Sequence, residues 1–254
     1  MAAWQAPARE TDLRRWILAH AILAPHSHNL QSWVADLGTP NQITLYCDLK
    51  RLLPQTDPLS RQIMMSHGTF LELLDLAMSL ATHVEMRFKH GFACQRPVDL
   101  SPQIQPMIPT PGHASWPSGH ATEAYLTCAL LQSLLPHGGK YREQLERLAA
   151  RIAVNRTVAG LHYPVDSAVG RLLGTALADF MVARCTAAKL HERGFDGRKF
   201  HDAKGHVIDF DPRVSMADNH SGYYELMAGS HAVAASPLLN FMWTKAAAEW
   251  APLQ

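Results

Sequence analysis

Three short stretches place cations, a hydroxyl or a histidine where a helix would start or stop. In Lys89-His-Gly-Phe-Ala-Cys-Gln-Arg96-Pro97, six residues separate the lysine from the arginine. Taken alone, two cations near a helix end only complement its dipole. Pro117-Ser118-Gly119-His120 opens a helix. N–H groups at a helix start favour an anion, glycine lets that anion approach the backbone, and the serine hydroxyl adds a donor. His120 is an acid or base for work near neutral pH. In Asn155-Arg156-Thr-Val-Ala-Gly-Leu-His162-Tyr-Pro-Val-Asp166, the carboxylate follows the histidine by four residues at another helix start. It can hold one imidazole nitrogen and leave the other free as a nucleophile or ligand. Each stretch also has an ordinary reading, as a helix cap or a surface pair; their joint occurrence carries the chemistry.

The elements that must position these residues are mostly helical. Phe70, Leu73, Leu74, Ala77, Leu80, Ala81 and Val84 recur at helical spacing from about Ser60 toward Lys89. Six prolines between 97 and 117 predict an ordered loop or lid, with Met107, His113 and Trp116 as a pocket wall. A helix from about Ser118 is stopped by Pro136 and Gly138-Gly139, and another runs from about Tyr141 to Val158. Pro164 suits a first helical position, and Val165, Val169, Leu172, Leu173, Ala176 and Phe180 form the stripe that follows. Gly170 and Gly174 thin one side of that helix for close packing. Beyond Cys185, Asp196-Gly197 and Lys204-Gly205 predict turns, with a small hairpin ending in Val207–Phe210 and a helix from about Tyr223. Leu226–Thr244 has no Asp, Glu, Lys or Arg and is expected as part of a buried C-terminal helix, not a membrane span. Near the N-terminus a helix is expected from Thr11 to about Leu23 and a strand at Gln42–Cys47. Trp16, Phe70, Tyr125 and Phe180 are expected in the core.

Composition narrows the function. With 47% hydrophobic and 18% charged residues the chain is a packed globular protein, and a net charge of +1 offers no general attraction to nucleic acid or acidic membranes. Anion binding must therefore be local. Four scattered cysteines, Cys47, Cys94, Cys128 and Cys185, give neither a zinc pair nor a disulfide framework and are expected as free thiols. The remaining histidines, among them His26, His28, His191 and His231, fit no zinc spacing. Met1–Glu10 lack a basic start followed by an apolar run, so a soluble, cytoplasmic enzyme is expected.

In order and spacing the three stretches resemble the type 2 phosphatidic acid phosphatase and vanadium haloperoxidase superfamily, over roughly residues 60–185. That pattern reads K-x6-R-P, then P-S-G-H, then S-R-x5-H-x3-D, and only Asn155, standing where serine is usual, departs from it. The resemblance implies a mainly α fold, a helical bundle of the acid phosphatase and haloperoxidase type with a small irregular N-terminal part. It implies that Lys89, Arg96 and Arg156 clamp the equatorial oxygens of phosphate or vanadate, helped by Ser118 and the Gly119 N–H. His162 would attack phosphorus, Asp166 would orient it, and His120 would protonate the leaving alcohol. The expected activity is a metal-independent phosphoric monoester hydrolase acting through a phosphohistidine on a small phosphorylated substrate. The alternative is a haloperoxidase with vanadate on His162, using peroxide and halide. A non-catalytic oxyanion-binding module is the non-enzyme alternative.

Ala21-Ile-Leu-Ala-Pro25-His-Ser-His28-Asn29-Leu-Gln31-Ser-Trp33, with Leu45–Asp48 and Arg51–Pro58, is similar to the opening of nitroreductase-like flavoproteins over roughly residues 12–80. Ser32 replaces a proline of that motif, and the later segments of an FMN site are not found. FMN is therefore not expected, and an FMN oxidoreductase is the third reading. The resulting division is an appendage at 1–60, suited to forming a homodimer, a catalytic helical core at 61–185, and a loop-rich segment with a helix at 186–254.

Overall fold

The computed structural model describes residues 33–36, 44–47, 68–135, 138–217 and 221–250. The chain divides into two units, residues 1–66 and 67–254. In the first, β1 (Trp33–Asp36) pairs antiparallel with β2 (Thr44–Cys47), Trp33 opposite Cys47. β2 lies within the strand expected at Gln42–Cys47. The expected Thr11–Leu23 helix and Trp16 fall outside the described residues, as does most of the flavoprotein-like stretch.

The second unit is mainly α. Helix α1 (Gly68–Phe92) buries Phe70, Leu73, Ala77, Ala81, Glu85 and Lys89, one stripe at three- to four-residue spacing. The stripe is apolar for three turns and then charged, so the periodicity that builds the core also carries two ionisable groups inward. The first N–H groups of α1 are satisfied at long range: those of Thr69 and Phe70 donate to the Glu249 carboxylate at 2.8 and 2.9 Å. Helix α2 (Pro97–Leu100) is a single turn inside the proline-rich stretch. Helix α3 (Gly119–Leu134) is the centre of the bundle, packed against α1, α4 (Gly138–Val158) and α5 (Pro164–Thr186).

The α3–α5 crossing is close because of two glycines. A Cβ at Gly170 would lie 2.8 Å from both the Ala121 Cβ and the Ser118 carbonyl, and one at Gly174 would collide with the Thr122 carbonyl. Two clusters flank α3. One joins α1, α3 and α5 through Phe70, Leu73, Leu126, Leu130, Leu177 and Met181. The other joins α3, α4 and α5 to the C-terminal segment through Tyr125, Ala153, Leu172, Phe200, Phe210 and Tyr224. Tyr224 is fixed by a 2.9 Å bond from its hydroxyl to the Ala168 carbonyl.

The C-terminal segment corrects several expectations. No helix starts at Tyr223: β5 (Tyr224–Leu226) pairs with β4 (Arg193–Phe195), and β6 (His231–Ala232) pairs with β3 (Lys189–Leu190). Gly229, at φ +113°, lies in the turn between β5 and β6. Helix α6 (Pro237–Glu249) begins only where Ser236 caps it and Pro237 supplies the first position. It is not buried as expected, since only Ala246 is fully covered while Leu238 and Phe241 remain exposed. Phe180 is likewise exposed, because the inward face of α5 runs through Leu177, Met181 and Cys185. The hairpin expected to end in Val207–Phe210 is reduced to one His201–Val207 bridge around the Lys204-Gly205 turn. Cys128 and Cys185 are buried free thiols and Cys94 is a half-buried one.

Candidate active site

The site forms where α3 and α5 begin, beside the C-terminal end of α1. Helix α5 starts with Tyr163 at the N-cap and Pro164 at the first position, and the third helical residue, Asp166, turns its carboxylate back to the Tyr163 N–H at 3.0 Å. The same oxygen, Oδ2, accepts from His162 Nδ1 at 3.0 Å and from the Ser115 hydroxyl at 2.5 Å. Asp166 is fully buried, so all three bonds form away from water. The backbone joins the two helix starts as well, the Ser118 N–H donating to the Asp166 carbonyl at 3.1 Å.

The tautomer of His162 follows from its neighbours. A carboxylate accepts at Nδ1, while Nε2 lies 3.4 Å from Arg96 Nη1, and a guanidinium can only donate. Nδ1 therefore carries the proton and Nε2 presents its lone pair. Burial is the main force holding the His162 pKa below the ordinary imidazole value; the bond and charge of Asp166 oppose it, and the charges of Arg96 and Lys89 reinforce it. Nε2 is the ring nitrogen left facing Arg96, while Nδ1 is taken by Asp166.

Arg96 is buried and firmly held: Nε donates to the His113 carbonyl and Nη1 to the Leu161 carbonyl, both at 2.9 Å, and Nη2 lies 3.2 Å from His113 Nδ1. Lys89 is also buried, and its ammonium meets three carbonyls, those of Ala114 and Ser115 at 3.3 Å and that of Pro117. Its three donors are thus spent on the loop before α3. Lys89 is thus a buried positive charge bonded to the loop before α3. Burial lowers the Lys89 pKa to about 8, Glu85 opposing and Arg96 reinforcing the shift.

Arg156, near the end of α4, is different. Its Nε is buried without a hydrogen-bond partner, and among the described residues the guanidinium has no ion pair. A cation left unmatched beside other cations can accept an anion. Ser118 caps α3 by accepting from the Ala121 N–H at 3.4 Å, leaving its own O–H free to donate. Among the described residues no acceptor meets the N–H groups of Gly119 and His120. The His120 side chain is exposed on the first turn of α3. Partial desolvation, followed by the charges of Arg156, His162, Lys89 and Arg96, lowers its pKa below the ordinary value. All eight residues singled out in the sequence therefore converge on one place, with Asn155 exposed beside it.

Two residues of this arrangement carry no signal in the motifs. Ser115 holds Asp166 from 51 residues away, and Glu85 lies against Gly119 from α1. His113 contacts Arg96 as part of the expected wall, but Met107 is largely exposed and is no part of it. Two clefts reach the cluster. One, about 300 Å³ and mostly apolar, runs from His120 and Glu123 between α3 and α4 past Leu131 and Leu148. The other, about 590 Å³, is bounded by Lys89, His90, Arg96, Asp99 and His113. Among the described residues no His, Cys, Asp and Glu group is arranged to hold a metal ion, and no helix is long and apolar enough to cross a membrane.

Comparison with known proteins agrees with the motif resemblance. The model of the PAP2 superfamily matches residues 71–188, a span that contains every residue of the site. No curated relative matches the chain. The matched span, its helical bundle and its three motifs bring with them, in broad terms, the phosphatase and haloperoxidase type of oxyanion chemistry. Residues 71–188 belong to the PAP2 superfamily.

Proposed function

We propose that the protein is a phosphoric monoester hydrolase that transfers the phosphoryl group to His162. The observation that carries this reading is the setting of His162: Nδ1 is bonded to the buried Asp166 at 3.0 Å, and Nε2 faces Arg96 at 3.4 Å. An imidazole held this way is a nucleophile of fixed direction. Arg96, the unmatched Arg156, the Ser118 hydroxyl and the first N–H groups of α3 surround the place where a phosphoryl group would sit.

Attack by Nε2 forms a P–N bond as the P–O ester bond breaks, and the electron pair leaves on the alcohol oxygen, which takes a proton from His120. Water then loses a proton to His120 and attacks phosphorus; the P–N bond breaks and its electron pair returns to Nε2. Arg156 and Arg96 neutralise charge on the equatorial oxygens, most strongly at the trigonal-bipyramidal point. The apolar cleft beside His120 fits the alcohol side of the ester. The same residues, His162, Arg96, Arg156 and Ser118, would hold vanadate, so vanadate is expected to inhibit competitively and more tightly than phosphate.

The test is hydrolysis of an aryl phosphate by the parent and by His162→Ala, with bromide oxidation by the vanadate-treated protein as the counter-assay. Hydrolysis lost in His162→Ala, with negligible bromination by the parent, is the expected result. Rapid bromination with no phosphate release would reverse the reading.

A further inference from the structure

Glu85 is a carboxyl group inside an anion site, and the mechanism above does not use it. It is the fifth residue of the buried stripe of α1, 6% exposed, and its Oε2 is buried without a hydrogen-bond partner. It is aimed at the start of α3: a Cβ added to Gly119 would stand 2.6 Å from Oε1 and 2.9 Å from Oε2. The carboxyl thus lies directly against the Gly119 backbone, in the space a side chain would take. Ionised, Glu85 occupies the positive end of α3 and opposes a second negative charge there. Protonated, it is neutral and carries a donor.

We propose that Glu85 is a proton-linked gate on the oxyanion site, so that a tetrahedral dianion is taken up together with a proton on the Glu85 carboxyl. This rests on the oxyanion-binding reading of the same site. The charged groups acting on Glu85 among the described residues are Lys89 on its own helix and Glu123 from α3; α5 and α6, the other helices packed on α1, present none. Burial raises its pKa to about 7, Lys89 opposing and Glu123 adding to the shift, so the carboxyl changes charge close to neutrality. A dianion arriving nearby raises it further. The sign is fixed: binding is favoured below the Glu85 pKa and requires proton uptake above it.

Sulfate is the probe, because it remains a dianion across the range and its own ionisation adds nothing. Calorimetry of sulfate binding at about pH 7.5, in two buffers of different ionisation enthalpy, counts the protons taken up. The parent should take up more than about half a proton at this carboxyl, and Glu85→Gln should take up less by that amount. Protons gained by His120 and His162 are common to both proteins, whereas the Lys89 ammonium answers to Glu85, so the proton is assigned to the carboxyl by the count together with a spectrum. A second readout needs only the parent: infrared difference spectra on adding sulfate should show a protonated carboxyl band growing in, which Glu85→Gln lacks. Sulfate binding without that band, and with equal proton uptake in both proteins, would overturn the gate while leaving the phosphatase reading in place. Failure of the parent both to bind sulfate and to hydrolyse an aryl phosphate would remove the oxyanion reading and the gate together.

Discussion

Arg96-Pro97-Val98-Asp99 and Tyr163-Pro164-Val165-Asp166 open two helices with the same three residues and the same device. In each, proline takes the first helical position and the aspartate returns to the N-cap N–H, at 2.9 Å for Asp99 and 3.0 Å for Asp166. Asp99 stands exposed on a single turn and does nothing further in hydrogen bonding. Asp166 is buried at the head of a 23-residue helix, and the oxygen that caps the helix also holds His162 and Ser115. The local sequence specifies a helix start in both places. Burial, and the arrival of a histidine and a serine at one oxygen, turns one of them into a site.

The comparison predicts a wide gap between equivalent substitutions. Asp166→Ala should lower kcat for an aryl phosphate by about a hundredfold or more, since it frees the tautomer and orientation of His162. Asp99→Ala should leave kcat unchanged; steady-state kinetics on the pair checks both. Equal losses would mean that the two caps matter only for folding.

The two arginines sharpen the same contrast between bonded and unbonded groups. Arg156→Ala should cost about 10²-fold in kcat/KM with no loss of thermal stability, because it removes a buried N–H that has no partner. Arg96→Ala should lower activity and also destabilise by about 2 kcal/mol or more, because it abandons the buried carbonyls of His113 and Leu161. Thermal melts beside the kinetics separate the two outcomes.

The pH profile should change by about tenfold per unit on each limb. Attack needs neutral His162, so the rate climbs as pH rises through its pKa. Leaving-group protonation needs charged His120, so the rate falls as pH rises through that pKa. Both values are held below the ordinary imidazole value, so kcat/KM should be bell-shaped with its optimum on the acid side of it. A rate that keeps rising into alkali would contradict these roles.

Ser115→Ala should reduce kcat about tenfold and widen the acid limb, because Asp166 keeps its bonds to His162 and Tyr163 but loses its third donor. The smallest effect is the stability change of Asp99→Ala, about 1 kcal/mol or less from a lost cap, measured by denaturant unfolding.

Legibility in the sequence followed contact range. His162 and Asp166 are four residues apart at a proline-started helix, and Ser118-Gly119 announces a helix start, so their positions were readable from spacing. Ser115 and Glu85 enter through contacts 51 and 34 residues away in sequence, and nothing in their own neighbourhoods marks them. Lys89 was readable as a cation, but not that three loop carbonyls consume its donors. The helices were legible wherever a stripe met a core. Phe180 failed because a stripe defines a face but not its limits, and 223–236 failed because a run of apolar and small residues can form short paired strands as well as a helix.

The central claim is a covalent phosphoryl group on His162 Nε2. The protein should be mixed with a fast aryl phosphate, quenched in alkali within one turnover and mapped by peptide mass spectrometry. The account predicts an acid-labile, alkali-stable phosphoryl group on the peptide containing His162, which accumulates when His120→Ala slows its hydrolysis. Turnover with no labelled peptide, or with the label on another residue, would contradict it.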